Sequence, residues 1–204
     1  MSIESTYKTL KNRSEGLYKE KGSKFIGIVQ ACYSEEEAKS LMKTWGKEHS
    51  QAGHLCYAYR FGVHKKVFRA NDDGEPSNSA GPPILGQISA FDLSNVLIGV
   101  VRYYGGTNLG VGGLIGAYRS AAKEAVINGQ IVELEVFEWV KVSFEYIDMV
   151  KVMNILKRHQ LKMIDTIFEV SCELTTNLRL DFAESIQKEL KGNETVKIES
   201  KGIH

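Results

Sequence analysis

Two stretches of the sequence hold residue types whose chemistry and spacing could make a site. One is Asp72-Asp73-Gly74-Glu75-Pro76-Ser77-Asn78-Ser79, where the carboxylates of Asp72, Asp73 and Glu75 are the oxygen ligands a hard cation such as Mg²⁺ would take against a bound phosphate. The other begins Arg102-Tyr103-Tyr104-Gly105-Gly106-Thr107-Asn108 and continues through Gly110, Gly112 and Gly113. A cation beside two aromatic rings is the combination that stacks bases and grips backbone phosphates. Six of the twelve positions from Gly105 to Gly116 are glycine. Glycine lets backbone amides come close to a ligand, and amides at a helix start attract anions, so this run reads as an anion cradle with Arg119 as a further cation.

Each feature also has a plain structural reading. The glycines fit neither G-x-x-x-x-G-K-[ST] nor G-x-G-x-x-G, and tight strand-to-helix packing alone could select them. The acidic run lacks the D-x-D-x-D-G pattern of a calcium loop and equally suits a solvated turn. His54 and Cys56 share a face of one strand, yet no second ligand pair or third triad member accompanies them. No catalytic residue is assigned; Asp73 and Glu75 are the weak candidates, and neither a metal nor a cofactor is expected.

The elements that must position these residues follow from periodicity. A hairpin is predicted over Leu17–Ala31, turning at Lys21-Gly22-Ser23-Lys24. A helix over about Ser34–Glu48 has a capping box and apolar Ala38, Leu41, Met42 and Trp45. His54–Phe61 alternates as a strand, with Val63–Arg69 as a second arm. Asn71–Pro83 lacks periodicity and reads as a long loop, Pro82-Pro83 starts a helix, and Val96–Val101 is a strand covered on both faces. A helix from Leu114 to about Ile127 follows the glycines. Beyond Glu133 the pattern becomes strand Val140–Tyr146, helix Asp148–His159, a short strand at Leu161–Ile164, strand Phe168–Leu174, helix Leu178–Leu190 and strand Thr195–Glu199. The order β-α-β-β-α-β is that of a ferredoxin-like sandwich. The expected domains are therefore 1–133 and 134–204, in an α+β protein.

Composition narrows the function classes. With 26 Lys plus Arg against 25 Asp plus Glu, the chain has no global basic field, so any nucleic-acid contact must be local and no DNA sequence specificity is expected. Cys32, Cys56 and Cys172 are odd in number and contain no C-x-x-C pair, which points to a reducing compartment and a cytoplasmic location. No signal peptide or membrane-length apolar run is visible, so no membrane partner is expected.

HLCYAYRF, DDGEPSNSAGPPIL and VVRYYGGTNLGVGGLIGAYRSAA, in this order, resemble the signature blocks of the YigZ/IMPACT family. The resemblance implies an N-terminal domain of the ribosomal protein S5 domain 2 type, a fold shared with elongation factor G domain IV and GHMP kinases. It also implies a C-terminal domain similar to elongation factor G domain V. The eukaryotic relative IMPACT restrains the amino-acid-starvation response through protein contacts and ribosome association. The family pattern has basic residues where this chain has Pro82, Asn108 and Gly116. The expectation is a non-catalytic binding module linked to translation, with RNA, the ribosome or a translation-associated protein as partner. The alternative is an enzyme acting on a small phosphorylated metabolite or nucleotide.

Overall fold

The computed structural model describes residues 4–203, which form two compact units. The first, Tyr7–Leu134, is assembled from β1 (Thr6–Leu10), β2 (Ser14–Glu20), β3 (Ser23–Ala31), α1 (Glu35–Glu48), β4 (His54–Phe61), β5 (Val67–Asn71), α2 (Gly81–Ala90), β6 (Val96–Tyr103), α3 (Gly110–Asn128) and β7 (Ile131–Glu135). Its sheet has the order β2-β3-β6-β4-β5, and every neighbouring pair is antiparallel. The predicted hairpin is present, and it turns on two residues, Lys21 and Gly22, both at positive φ. Capping of α1 follows the sequence: Ser34 Oγ accepts the Glu37 amide at 3.1 Å, while the Glu37 carboxylate accepts the Tyr33 amide at 2.8 Å.

The uninterrupted apolar run of β6 has a direct explanation, because both faces of the sheet are covered. Ile28, Leu97 and Val101 pack with Ala38 and Trp45 of α1 on one side. Phe25, Cys56, Ile98 and Val100 pack with α2 and α3 on the other. Helix α3 lies so close to the sheet that a Cβ on Gly27 would stand 2.2 Å from the Ala121 carbonyl oxygen. β1 pairs with β7 in a separate two-stranded ladder. The second arm of β4 runs over Val67–Asn71, later than Val63–Arg69, because Gly62 and Lys65 adopt positive φ and hold the chain in a turn. Helix α3 begins four residues before the predicted Leu114, so Gly110, Gly112 and Gly113 are helical.

The second unit, 135–203 with residues 4–6, contains β8 (Phe137–Glu145), α4 (Met149–Arg158), β9 (Thr166–Phe168), β10 (Ser171–Arg179), α5 (Leu180–Lys191) and β11 (Lys197–Ile203). Its sheet order is β11-β8-β10-β9, the ferredoxin-like arrangement with antiparallel neighbours. Val140, Val142 and Phe144 alternate inward on β8 and meet Val152, Leu156, Ile186 and Leu190 of the two helices.

Several boundaries depart from expectation. The alternation from Phe168 to Leu174 is two strands, broken at Glu169 and Val170, where the chain reverses and leaves Val170 87% exposed. The short strand lies at Thr166–Phe168, beyond Leu161–Ile164. Leu178 belongs to β10, which ends at Arg179, so α5 starts at Leu180, and Phe182 is half exposed although its spacing placed it inward. β11 runs on to Ile203, past Glu199. Among the described residues no helix is long and apolar enough to cross a membrane.

Candidate functional site

The acidic loop between β5 and α2 is held together by its own side chains. Asp72 Oδ1 accepts the amides of Ala80 at 2.9 Å and Gly81 at 2.8 Å, and Oδ2 accepts that of Asn78 at 2.9 Å. The carboxylate thus caps α2, whose own N-cap residue is an alanine. Partial burial pulls this carboxyl upward, but the amides of Gly81, Asn78 and Ala80 outweigh it and hold it below the usual aspartate range. Asp73 turns the other way: Oδ2 accepts the Leu55 amide at 2.7 Å, and its carbonyl oxygen lies 2.6 Å from His54 Nδ1. Ser79 is fully buried and donates to the Pro76 carbonyl at 2.6 Å.

Glu75 leaves its neighbours and enters the core. Its Oε1 accepts from Arg102 Nη1 at 2.6 Å and from the Tyr118 hydroxyl at 2.7 Å, and its side chain is 3% exposed. Arg102 is paired in register with Phe25 on β3 and His54 on β4, and its guanidinium sits over the rings of Phe25 and Tyr104 at 5.5 and 5.4 Å. The ring of Tyr118 meets Phe25 edge-on at 5.1 Å. Cys56 completes the cluster by donating its thiol to the Asp72 carbonyl at 3.0 Å. Burial pushes that thiol up to about 12, with Glu75, Asp73 and Asp72 adding to the rise; Cys56 is a poor nucleophile at neutral pH. Burial likewise raises the Tyr118 hydroxyl.

Arg102 was expected as a surface cation for phosphate. It is instead a buried partner of Glu75, and the three carboxylates point to three different tasks. Of the other members of the cluster, Tyr118 reads in the sequence as a core position of a helix, and Cys56 as a strand residue that pairs with His54 but lacks a further ligand or triad member. Nothing short of the tertiary fold places them 43 and 19 residues from Glu75 in contact with the same loop.

The other predicted residues divide sharply. Tyr103 faces α1, its hydroxyl 2.9 Å from His49 Nδ1, and serves packing. Tyr104 is 57% exposed and donates to Asn108 Oδ1 at 3.3 Å. Gly105 is a packing glycine: a Cβ there would stand 2.0 Å from the Gly22 carbonyl carbon, and its amide donates to Ser23 Oγ at 3.1 Å. Gly106 and Gly110, at φ +84° and +72°, shape the turn into α3. A Cβ on Gly112 or Gly116 would meet nothing within 4 Å, whereas one on Gly113 would touch Leu109 at 3.0 Å. Leu109, the N-cap of α3, offers no capping side chain, and the first turn carries no acid. Thr107, Asn108 and Arg119 are exposed alongside. The structure therefore brings Tyr104, Thr107, Asn108 and the start of α3 together as a surface, with Glu75 and Arg102 beneath it as a buried brace.

Residues 21–126, which include the whole of this arrangement, match the Impact N-terminal domain family. The Bacillus subtilis IMPACT family member YvyE is 32% identical over 171 residues, covering 84% of this chain and 79% of that protein. The Escherichia coli IMPACT family member YigZ is 36% identical over 108 residues, 52% of this chain and 53% of its own. A crystal structure described as that of a hypothetical protein superposes with a TM-score of 0.75 at 24% identity, covering 96% of this chain and 97% of the other, and so shares the fold. The matched domain and the YvyE relationship together place this chain in the IMPACT family.

Proposed function

We propose that the chain is a non-catalytic binding module linked to translation, and that the start of α3 with Tyr104 is its contact face for ribosomal RNA. Gly112 and Gly116 carry the reading. Each glycine inside a helix costs about 1 kcal/mol relative to alanine, and both positions have open space for a methyl group. Packing does not require them; Gly116 stands where the family pattern has a basic residue, so it is Gly112, in the first turn, whose missing side chain calls for a reason outside the fold. Close approach of a ligand backbone to the helix supplies it, since the uncapped amides and the positive end of the helix dipole favour a phosphate. Exposed Tyr104 offers a ring for stacking, and Arg119 lies further along the same helix.

The alternative, an enzyme handling a small phosphorylated compound, needs carboxylates at liberty to bind a metal or move a proton. Asp72, Asp73 and Glu75 are committed to amides and to Arg102, which favours the binding module.

Ribosome co-sedimentation at low and moderate salt tests the proposal. Wild type should associate in a salt-sensitive way, and Gly112→Ala with Gly116→Ala should bind less while melting higher. Wild type that fails to associate at any salt, or a double variant that binds as wild type does, would overturn it.

A further inference from the structure

A second surface of the same unit was not assigned by any motif. β5 is an edge strand, and its pairing with β4 leaves Val67 51% and Phe68 60% exposed. Two large apolar side chains in water on an edge strand are unusual, and most of the charged side chains around them are positive. His64, Lys66 and Arg69 are exposed around them, and Lys65 precedes them. Arg60, directly across from Phe68, lies under the same edge and already donates to the Leu93 carbonyl at 2.6 Å. Asp92 lies 2.6 Å from Lys65 Nζ and 3.5 Å from Arg60, and Glu35 accepts the hydroxyl of Tyr59, the residue across from Arg69, so two acids answer this group. The strip thus keeps a surplus of positive charge in a chain whose formal net charge is only +1.

We infer that the Lys66–Arg69 edge binds single-stranded RNA, Phe68 stacking on a base while Lys66 takes a flanking phosphate and Arg69 adds positive charge from the opposite face of the strand. Exposed aromatic side chains set among cations are the common device of sequence-tolerant single-strand binding. Lysines on a sheet edge oppose addition of another protein strand, so they disfavour a β-strand partner while favouring a polyanion. The inference rests on the reading of the chain as an RNA-contacting module and names a second contact point for it. Along the sheet, His54 is level with Arg102 and Arg60 with Val96, so Phe68 is roughly 20 Å from the level of Arg102 at ~3.3 Å per residue, with Tyr104 beyond it. The two contacts can therefore be tested separately.

The experiment is fluorescence anisotropy with a labelled twelve-nucleotide polyuridine strand, and with a labelled acidic peptide as the competing occupant. Phe68→Ala should weaken the RNA affinity about tenfold, within the range of one lost base stack. Lys66→Ala should lower the magnitude of the salt slope by about 1. Phe68→Tyr should keep the affinity. Because Phe68 is exposed, an unchanged melting midpoint shows that Phe68→Ala still folds. Wild type that does not bind the strand, Phe68→Ala within twofold of wild type, or tighter binding of the acidic peptide with the same variant dependence would each overturn the inference. None of these outcomes touches ribosome association through Gly112 and Tyr104, which has its own variants.

Discussion

At the scale of single residues, the ion pair between Glu75 and Arg102 is the decisive feature. The sequence offers Asp72, Asp73 and Glu75 as one acidic run, and nothing in their spacing says that the third turns inward to partners 27 and 43 residues away. That fact belongs to tertiary structure. Breaking a buried pair strands a charge, so Glu75→Ala should cost about 3–5 kcal/mol in urea denaturation, and Glu75→Gln, which keeps an acceptor for Tyr118, should cost less. Equal losses for the two would mean that charge plays no part. The thiols give a pH dependence. Burial raises folded Cys32 to about 11 and Cys56 to about 12 from an ordinary 9.0. Below pH 9 both are neutral whether the chain is folded or not, and their contribution to stability is fully present. As pH rises from 9 toward 12 the unfolded chain releases these protons first, so stability falls. Cys56→Ala should show a shallower alkaline decline in denaturation midpoint than wild type; an identical decline would assign it to the raised tyrosines Tyr118 and Tyr59 instead.

At the scale of elements, the sequence was most legible where a periodic pattern met a packed face. α1, β4 and β6 lie where their periodicity placed them, because capping at Ser34 and burial on both faces of β6 leave little choice. Legibility failed where one residue type has two uses. Glycine marks loops in general, yet four of the six glycines between Gly105 and Gly116 are in α3, and only their surroundings separate packing glycines from exposed ones. The contrast is measurable. Gly27→Ala would drive a methyl group to 2.2 Å from the Ala121 carbonyl oxygen and should destabilise by more than about 1 kcal/mol through overpacking. Gly116→Ala, with nothing in its way, should stabilise by about 1 kcal/mol. Opposite signs in the two thermal melts are the expected result; equal signs would mean that the open space around Gly116 does not set it apart from a packing glycine. β1 and β7 were missed because a two-stranded ladder of five-residue strands carries too little apolar alternation to register.

At the scale of the whole molecule, the change of texture after Glu133 and the β-α-β-β-α-β order were readable because the long strands β8 and β10 of the second unit bury one face only. Val140, Val142 and Phe144 on β8 and Cys172, Leu174 and Leu178 on β10 alternate with polar neighbours, which is the signature of a sheet with helices on a single side. The break between β9 and β10 was invisible to the same logic, since a tight reversal keeps the alternation in phase. Among the described residues, three apolar clusters each lie within one unit, two in Tyr7–Leu134 and one in the other. Stability is therefore organised in two separately closed cores, and a cavity in one should report there first. Leu174 is 1% exposed, so Leu174→Ala should cost the second unit about 2–5 kcal/mol. Hydrogen exchange should then quicken across β8 to β11 while the amides of β3, β6 and α3 stay slow. The proposed contact face at Tyr104 and the Phe68 edge both belong to the first unit, so under that proposal this variant should match wild type in ribosome co-sedimentation and in RNA binding. Exchange that quickens equally in both units would show one cooperative body, and the binding surfaces could then no longer be assigned to the first unit alone.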